Sequence, residues 1–595
     1  MADFLDNNWL QQLSLAEGFT VAEAVDVIEN FVDDGNLDTS DVDIFIAPPE
    51  NDILTDEDSG PEDEGGTINN LNGGQLSAPA EIRVRRLCNL VESSCTELQD
   101  KKHRTWIDGD MEAQKTLAFQ AYNYSKFSSL SPVELFELFI NNSVIELLVK
   151  NTNKYALFKN CPDPKVTEEE MKCFLAILLL SGYNELPGKK CYWDSGLDMK
   201  NEMVCQAMRR DRFIQIMRFL HCADNSETIP NDKMWKMRPL MNLLKCKCLD
   251  NFVPSEFLCF DESMVKYYGK HGCKQFLKGK PIRFGYKIWS LNTDTGYLIN
   301  FEIFQGKNTT TNETYSKLFG KSAAPLVSML DEIPQDELPY QLFFDNLFTS
   351  PALMKHLKDR GYGSTGTVRI NRLPKDCPLS SKKDMQNESR GSFQCKIEKE
   401  DGIFVARWKD NSVVTVASTS YGIEPIASVK RFSQSEKKYL HIQQPFVIKQ
   451  YNHHMGGTDL MDEDISTHRI GIRGKKWWWP LFTWLIDLGT TNAWRLLRLS
   501  GNKMTKLTFR REIVQCYLTR YKTPPALPGP STSRKVFVAK NKNSLRYDGL
   551  HHYVIPTEKR RRCANRLCSS VGRTACKKCD VGLCVKCFEN YHKLQ

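Results

Sequence analysis

Three short stretches decide the reading of this chain: FLCFDESM (257–264), YQLFFDNLFTS (340–350) and YNHHMGGTDLMDED (451–464). In the first two, an apolar β-favouring run delivers an aspartate, Asp261 or Asp345, at or near the end of a strand. In the third, Gly456-Gly457 breaks the chain, and Thr458 is placed to cap a helix carrying Asp459 and Asp462 three residues apart on one face. Carboxylates from two strand ends and one helix suit two Mg²⁺ ions, which take hard oxygen ligands and leave room for phosphate oxygens. Singly, an aspartate after an apolar run is more often a turn or cap residue than a ligand. The repeated pattern raises the metal reading, because Phe260-Asp261-Glu262 and Phe344-Asp345-Asn346 each put a carboxylate straight after a ring that belongs in a core.

Working outward, 595 residues are too many for one core, so several domains are expected. The net charge of +7 hides an asymmetry: residues 1–82 hold no Lys or Arg and carry −20, and the rest carries +27. A basic body with an acidic leader fits a polyanion-binding protein, and equally a merely soluble basic enzyme. Thr20 with Glu23 forms a capping box for a short helix in residues 1–30, whereas 31–80, centred on DEDSGPEDEGG, are too polar to fold. The longest apolar runs are about half a membrane span, which predicts no membrane partner. The start has no secretion-signal pattern, and 20 scattered cysteines point to reduced thiols in an intracellular protein.

From 130 onward, Ser131-Glu134, Ser143-Glu146 and Thr167-Glu170 mark capped helices, followed by an arginine-flanked helix around 208–220. Two strands near 284–291 and 297–305, turning at Asp294 and Gly296, follow the first aspartate strand. Lys280, Arg283 and Lys287 are candidates for phosphate contacts, with a lysine-guarded sheet edge as the rival reading. Residues 370–440 switch to period-two strands, an insertion between the second and third carboxylates. In IRGKKWWWP (472–480), Arg473, Lys475 and Lys476 offer charge for phosphates, and the tryptophans offer rings, at least one of them expected in the core.

After a Pro/Ser/Lys linker, the C-terminal stretch holds His552, Cys563, Cys568, Cys576, Cys579, Cys584, Cys587 and His592. Close pairs of soft ligands at this spacing hold tetrahedral Zn²⁺, and eight ligands suffice for two ions. The spacing leaves the pairing open, with an interleaved RING- or PHD-like arrangement preferred. Lys559 to Arg562 reads as a nuclear localisation signal or a phosphate contact, so a nuclear location is expected.

The blocks FDES, FFDNLFTS and YN-x-x-MGG-x-D-x-x-D, with IRGKKWWWP and the terminal cysteines, resemble the piggyBac transposases from about residue 130 onward. The resemblance implies an α/β multidomain protein with an RNase H-like core in which Asp261, Asp345 and Asp459 bind Mg²⁺ (Mn²⁺ the alternative), with Asp462 close by. It further implies a helical dimerisation and DNA-binding domain and a Trp479 near the DNA ends. The implied divisions are an acidic, largely disordered leader (1–129), helical domain (130–256), core (257–369), β-rich insertion (370–442), core (443–465), helical domain (466–520), linker (521–547) and zinc module (548–595). The implied activity is cut-and-paste transposition: phosphodiester hydrolysis and strand transfer at terminal inverted repeats of double-stranded DNA, with integration at TTAA by a homodimer. The alternatives are a host-retained DNA-binding protein without catalysis and a chromatin reader using the zinc module.

Overall fold

In the computed structural model the described residues are 104–523 and 546–593, apart from 112–118, 121, 162–163, 195, 197, 270, 277–281, 307–311, 370–371, 375, 435–436 and 566; in the leader, the backbone of Phe19–Thr20, Val42–Ile46 and Pro79–Val84 is also described. The chain divides into two compact units, Met1–Pro524 and Pro525–Gln595. No described helix is long and apolar enough to cross a membrane.

The centre of the first unit is five strands: β1 (Phe257–Lys266), β2 (Phe284–Thr293), β3 (Leu298–Ile303), β4 (Gln341–Phe344) and β5 (Gly363–Thr367). β1 pairs antiparallel with β2, and β2 with β3. On its other side β1 runs parallel to β4, and β4 parallel to β5, which gives the order β3-β2-β1-β4-β5. Parallel neighbours need a crossover. Helices Glu313–Phe319 and Ala324–Asp331 lie in the β3–β4 connection and Pro351–Asp359 in the β4–β5 connection. Every residue of β2 is buried, as a strand covered on both faces requires.

The sheet does not stop at β5. Val413–Ser418 pairs antiparallel with β5, and Phe404–Lys409 and Phe393–Glu398 follow outward. The inserted segment thus continues the core sheet, because β5 offers its open edge to Val413–Ser418; a separate two-stranded ribbon, Ala427–Ser433 with Lys438–Gln444, completes it. Past the insertion, Trp106–Ile107 adds one more edge strand, and the Asp110 carboxylate accepts hydrogen bonds from the Ile423 and Glu424 amides. The leader is therefore not wholly unstructured: Val42–Ile46 pairs with Pro79–Val84 and with Lys274–Phe276. Phe19–Thr20 is extended and pairs with Pro79–Ala80; the rest of the helix expected in residues 1–30 lies outside the described residues.

Helices Pro132–Glu137, Asn142–Phe158, Glu168–Leu180 and Arg210–Phe219 pack with Trp479–Leu499 and Lys506–Arg520. Both Ser131 with Glu134 and Thr167 with Glu170 form complete capping boxes. Ser143 does not cap; Asn141 does, and its side chain accepts from the Val144 amide. The arginine-flanked helix buries Phe213, Ile216 and Met217, and Arg212 grips Glu170 with two nitrogens at 2.6–2.7 Å. At the centre of the helical pack the Arg510 guanidinium, fully buried, donates to Asp487 Oδ1 at 2.7 Å and to the Leu179 carbonyl at 2.8 Å.

Candidate metal centres and the aspartate cleft

Register brings the first two aspartates together. Phe260 on β1 is level with Phe344 on β4, so the next residues, Asp261 and Asp345, are neighbours across two parallel strands. Asp345 follows the last residue of β4, but Asp261 sits in the middle of β1, which runs on to Lys266 rather than ending at the carboxylate. Asp261 Oδ1 accepts from the Glu262 amide at 2.8 Å, and Asp345 Oδ1 caps its own turn by accepting from the Leu347 amide at 2.6 Å. The turn reading and the ligand reading of Asp345 therefore describe the same residue.

The third stretch folds as two consecutive helices, Phe446–His454 and Gly457–Ser466, laid on the Asp261 face of the sheet. Gly456 is the N-cap, not Thr458, whose hydroxyl donates instead to Asn292 Oδ1 on β2 at 3.2 Å. A Cβ on Gly457 would lie 2.2 Å from the Thr293 carbonyl oxygen and 2.5 Å from Cys259 Sγ, so only glycine lets this helix approach so closely. The Cys259 thiol donates to the His454 carbonyl at 2.9 Å, and His454 Nδ1 meets Asp294 Oδ2 at 2.8 Å. Asp459 is exposed in the first helical turn, and Asp462 accepts from the Ser263 hydroxyl, two residues beyond Asp261 on the same strand face, at 2.5 Å. Tyr451, on the first of these helices, lies near Asp345 and Asp261. Burial first, then the Asp345 and Asp261 carboxylates, push its hydroxyl above the ordinary tyrosine range.

In the second unit, β-strands Val554–Arg562, Val571–Cys576 and Val581–Gly582 and helix Val585–His592 gather the cysteines. Two groups have all four ligand atoms within 4.8 Å of one another: Cys563, Cys568, Cys584 and Cys587, and His552, Cys576, Cys579 and His592. Each can hold a metal ion, and the two alternate along the chain as the interleaved pairing requires. The histidines are oriented for it. His592 Nδ1 donates to the Phe588 carbonyl at 2.8 Å, turning Nε2 toward Cys579 Sγ. His552 Nε2 donates to Asp548 Oδ1 at 3.0 Å, turning Nδ1 toward Cys576 and Cys579. Burial lowers the His592 pKa, which favours the neutral ring a metal needs. In the other group, hydrogen bonding from Ser570, then Cys587, lowers the Cys584 thiol to about 6, and hydrogen bonding to Cys584, then Cys568, pushes Cys587 up to about 12, so the four thiols share their protons closely. These are the groups of three or more His, Cys, Asp or Glu gathered this closely among the described residues; the four aspartates form no such group.

A family model described as Transposase IS4 matches residues 131–494. The human PiggyBac transposable element-derived protein 3 is 40% identical over 584 residues, covering 92% of this chain and 96% of that protein. The chain belongs to the piggyBac transposase family. It is also 38% identical over 624 residues to a human chimeric ERCC6-PGBD3 protein, matching over 99% of its own length but spanning 57% of that relative. The solved piggyBac transposase synaptic complex with hairpin DNA shares the fold at a TM-score of 0.54, with 21% identity over 78% of this chain and 98% of that one.

The basic residues of this piggyBac-family chain divide in two. Arg283, Arg473 and Lys475 are exposed, and Lys280 lies outside the described residues. Lys287 is level with Met264, so it leaves the sheet on the face opposite Asp261; it is buried over the Trp289 ring and 3.8 Å from Glu262. Lys476 is buried and donates to the Arg218 and Leu220 carbonyls, closing the end of the arginine-flanked helix. All three tryptophans are buried, and Trp479 donates from Nε1 to the Ile472 carbonyl at 3.0 Å. Lys287, Lys476 and Trp479 are thus packed as structural residues, because each satisfies its polar atom or covers its ring inside the fold. Sequence reasoning missed Ser263, Asp548, and the two arginines of GTVRINR: Arg369 donates to Asn346 Oδ1 and Arg372 to the Leu347 carbonyl, both on the loop after Asp345. The signal for Ser263 was the two-residue strand period from Asp261.

Proposed function

We propose that the chain is a DNA strand-transfer enzyme of the cut-and-paste type, with an RNase H-like core and a cleft that works with two Mg²⁺ or Mn²⁺ ions. The observation that carries this reading is the level register of Asp261 and Asp345 at the centre of the β3-β2-β1-β4-β5 order, with the Asp459 helix on the same face. The residues fit the ions. Every donor is a hard carboxylate oxygen, and the Ser290 hydroxyl, level with Asp261 on β2, is buried without a partner among the described residues. Two ions roughly 4 Å apart divide their carboxylates between two coordination spheres, which suits a set not gathered about one point.

Asp261, Asp345 and Asp459 would hold the ions, and Ser263 fixes Asp462 beside them. Two such ions, when bound, would supply the chemistry of activating a water or a 3′-hydroxyl toward a phosphodiester and of offsetting charge on the leaving oxygen. The protein's own part is to bind, align and desolvate the strand; no side chain is asked to be a nucleophile. Arg283, Arg473 and Lys475 are exposed for phosphate contacts. The hairpin DNA bound by the solved relative supports a DNA substrate. TTAA integration, inverted-repeat ends, a homodimer and nuclear residence are proposed from the family membership. The C-terminal groups would hold two Zn²⁺ ions, since their Cys₄ and Cys₂His₂ ligands are the set tetrahedral zinc takes.

A second reading, a host-retained DNA-binding protein without strand transfer, is favoured by the human relatives named as transposable element-derived. One experiment separates them. Mg²⁺-dependent, EDTA-sensitive nicking of plasmid DNA by the full chain, lost in Asp345→Asn, supports the enzyme; DNA binding with no nicking in either supports the second reading.

A further inference from the structure

The row of side chains across the parallel strands does not end at Asp345. Phe344 is level with Gly366 on β5 as well as with Phe260 on β1, so the next residue along each strand path gives Asp261, Asp345 and Thr367 in line. Side chains at matched register leave a sheet on one face, so two carboxylates and a hydroxyl stand side by side. β5 reaches this position because Gly366 is bare: a Cβ there would lie 2.3 Å from Thr349 Oγ1 and 2.8 Å from the Phe344 ring. Above the row, helix Phe446–His454 brings in Tyr451, whose hydroxyl lies 3.5 Å from Thr367 Oγ1 and within the field of both carboxylates.

The ligand set proposed above is made of carboxylates, so the two hydroxyls serve the substrate. A hydroxyl beside two carboxylates has one clear use when an anionic strand enters: it donates to a phosphate oxygen without adding negative charge. We propose that Tyr451, steadied by Thr367, positions the substrate phosphate against Asp261 and Asp345, an inference that rests on the strand-transfer reading above. Tyr451 is a donor and not a covalent nucleophile.

The test uses the full chain with Tyr451→Phe, Thr367→Val, the double variant, and Asp345→Asn as control. Nicking of supercoiled plasmid in Mg²⁺ is measured beside binding of a short duplex and, without DNA, binding of Mn²⁺ by electron paramagnetic resonance. A hydrogen bond to a charged group is worth about 1.5–3 kcal/mol, so Tyr451→Phe slows nicking roughly 10- to 100-fold. Mn²⁺ binding stays as in the parent, duplex affinity falls far less than the nicking rate, and the double variant is no slower than Tyr451→Phe, because Thr367 acts through Tyr451. Nicking at the parent rate by Tyr451→Phe overturns the inference. So does a parallel loss of Mn²⁺ binding, which would make the hydroxyl a support for the ions. If Tyr451→Phe does not fold, Thr367→Val carries the test, with slowed nicking in support and unchanged nicking against. A parent chain as silent as Asp345→Asn removes the strand-transfer reading, and this inference with it.

Discussion

Gly457→Ala separates two adjacent glycines that look equivalent in the sequence. At Gly457 the new Cβ would meet the Thr293 carbonyl oxygen at 2.2 Å and Cys259 Sγ at 2.5 Å; at Gly456 it would meet nothing within 4 Å, and φ there is −78°. An ordinary contact needs about 3.5 Å, so the helix bearing Asp459 and Asp462 must lift by about 1 Å. Overpacking of this kind costs roughly 1–3 kcal/mol, and a displacement of 1 Å in a catalytic group costs about 100-fold in rate. Gly456→Ala meets no obstacle and loses only the cap preference of glycine over alanine, roughly 0.5–1 kcal/mol. Urea denaturation and plasmid nicking measure both effects. Adding Cys259→Ala to Gly457→Ala restores little, because the backbone carbonyl is the closer obstacle. Equal stability and nicking in the two alanine variants would refute the argument that this helix is seated by backbone contact.

Three further predictions concern other parts of the chain. His271 stacks on Trp477 at 4.0 Å, and burial first, then Lys233, hold its imidazole at about 3. Because the unfolded chain takes the proton near pH 6.5 and the folded one does not, stability rises with pH between 3 and 6.5; about 2 kcal/mol is lost on going from 6.5 to 5. His271→Phe flattens that window in urea titrations, and profiles that stay parallel would defeat the assignment. Asp548→Ala removes the acceptor that orients His552, so metal affinity at that group falls about 10- to 100-fold while the four-cysteine group keeps its ion; chelator competition reads both, and equal losses at the two groups would count against the orientation argument. Trp479→Ala costs roughly 3–5 kcal/mol of stability through its buried ring. Loss of DNA binding at full stability would instead restore Trp479 as a DNA contact.

Local signals were legible where one residue type has one strong preference. Ser131 and Thr167 capped as read, and the turn at Asp294-Gly296 joined two strands, with Gly296 at φ +85°. The nearness of Asp261 to Asp345 was legible only through the motif pattern, since pairing of β1 with β4 is set by strands far apart in sequence. The fates of Lys287, Lys476 and Trp479 were hidden for a different reason. A Lys-Trp cluster reads alike whether it faces a nucleic acid or closes a helix end, and only packing from elsewhere decides. Lys476 answers to the Arg218 and Leu220 carbonyls, which no local window contains. The insertion was visible as β-rich, but not its annexation by the core sheet, because an open edge such as that of β5 leaves no mark on composition.

The meeting of helices Pro132–Glu137 and Glu168–Leu180 with Trp479–Leu499 and Lys506–Arg520 has a consequence for biogenesis. During translation the wholly apolar run from Cys173 to Leu180 emerges before the five central strands β1–β5 and waits through their synthesis until Asp487 and Arg510 arrive to lock it. A nascent chain in that interval carries an uncovered greasy surface, the condition under which folding intermediates associate or recruit chaperones. A transcript interrupted before residue 479 would yield a polypeptide whose first helices have lost the partners they were built to meet.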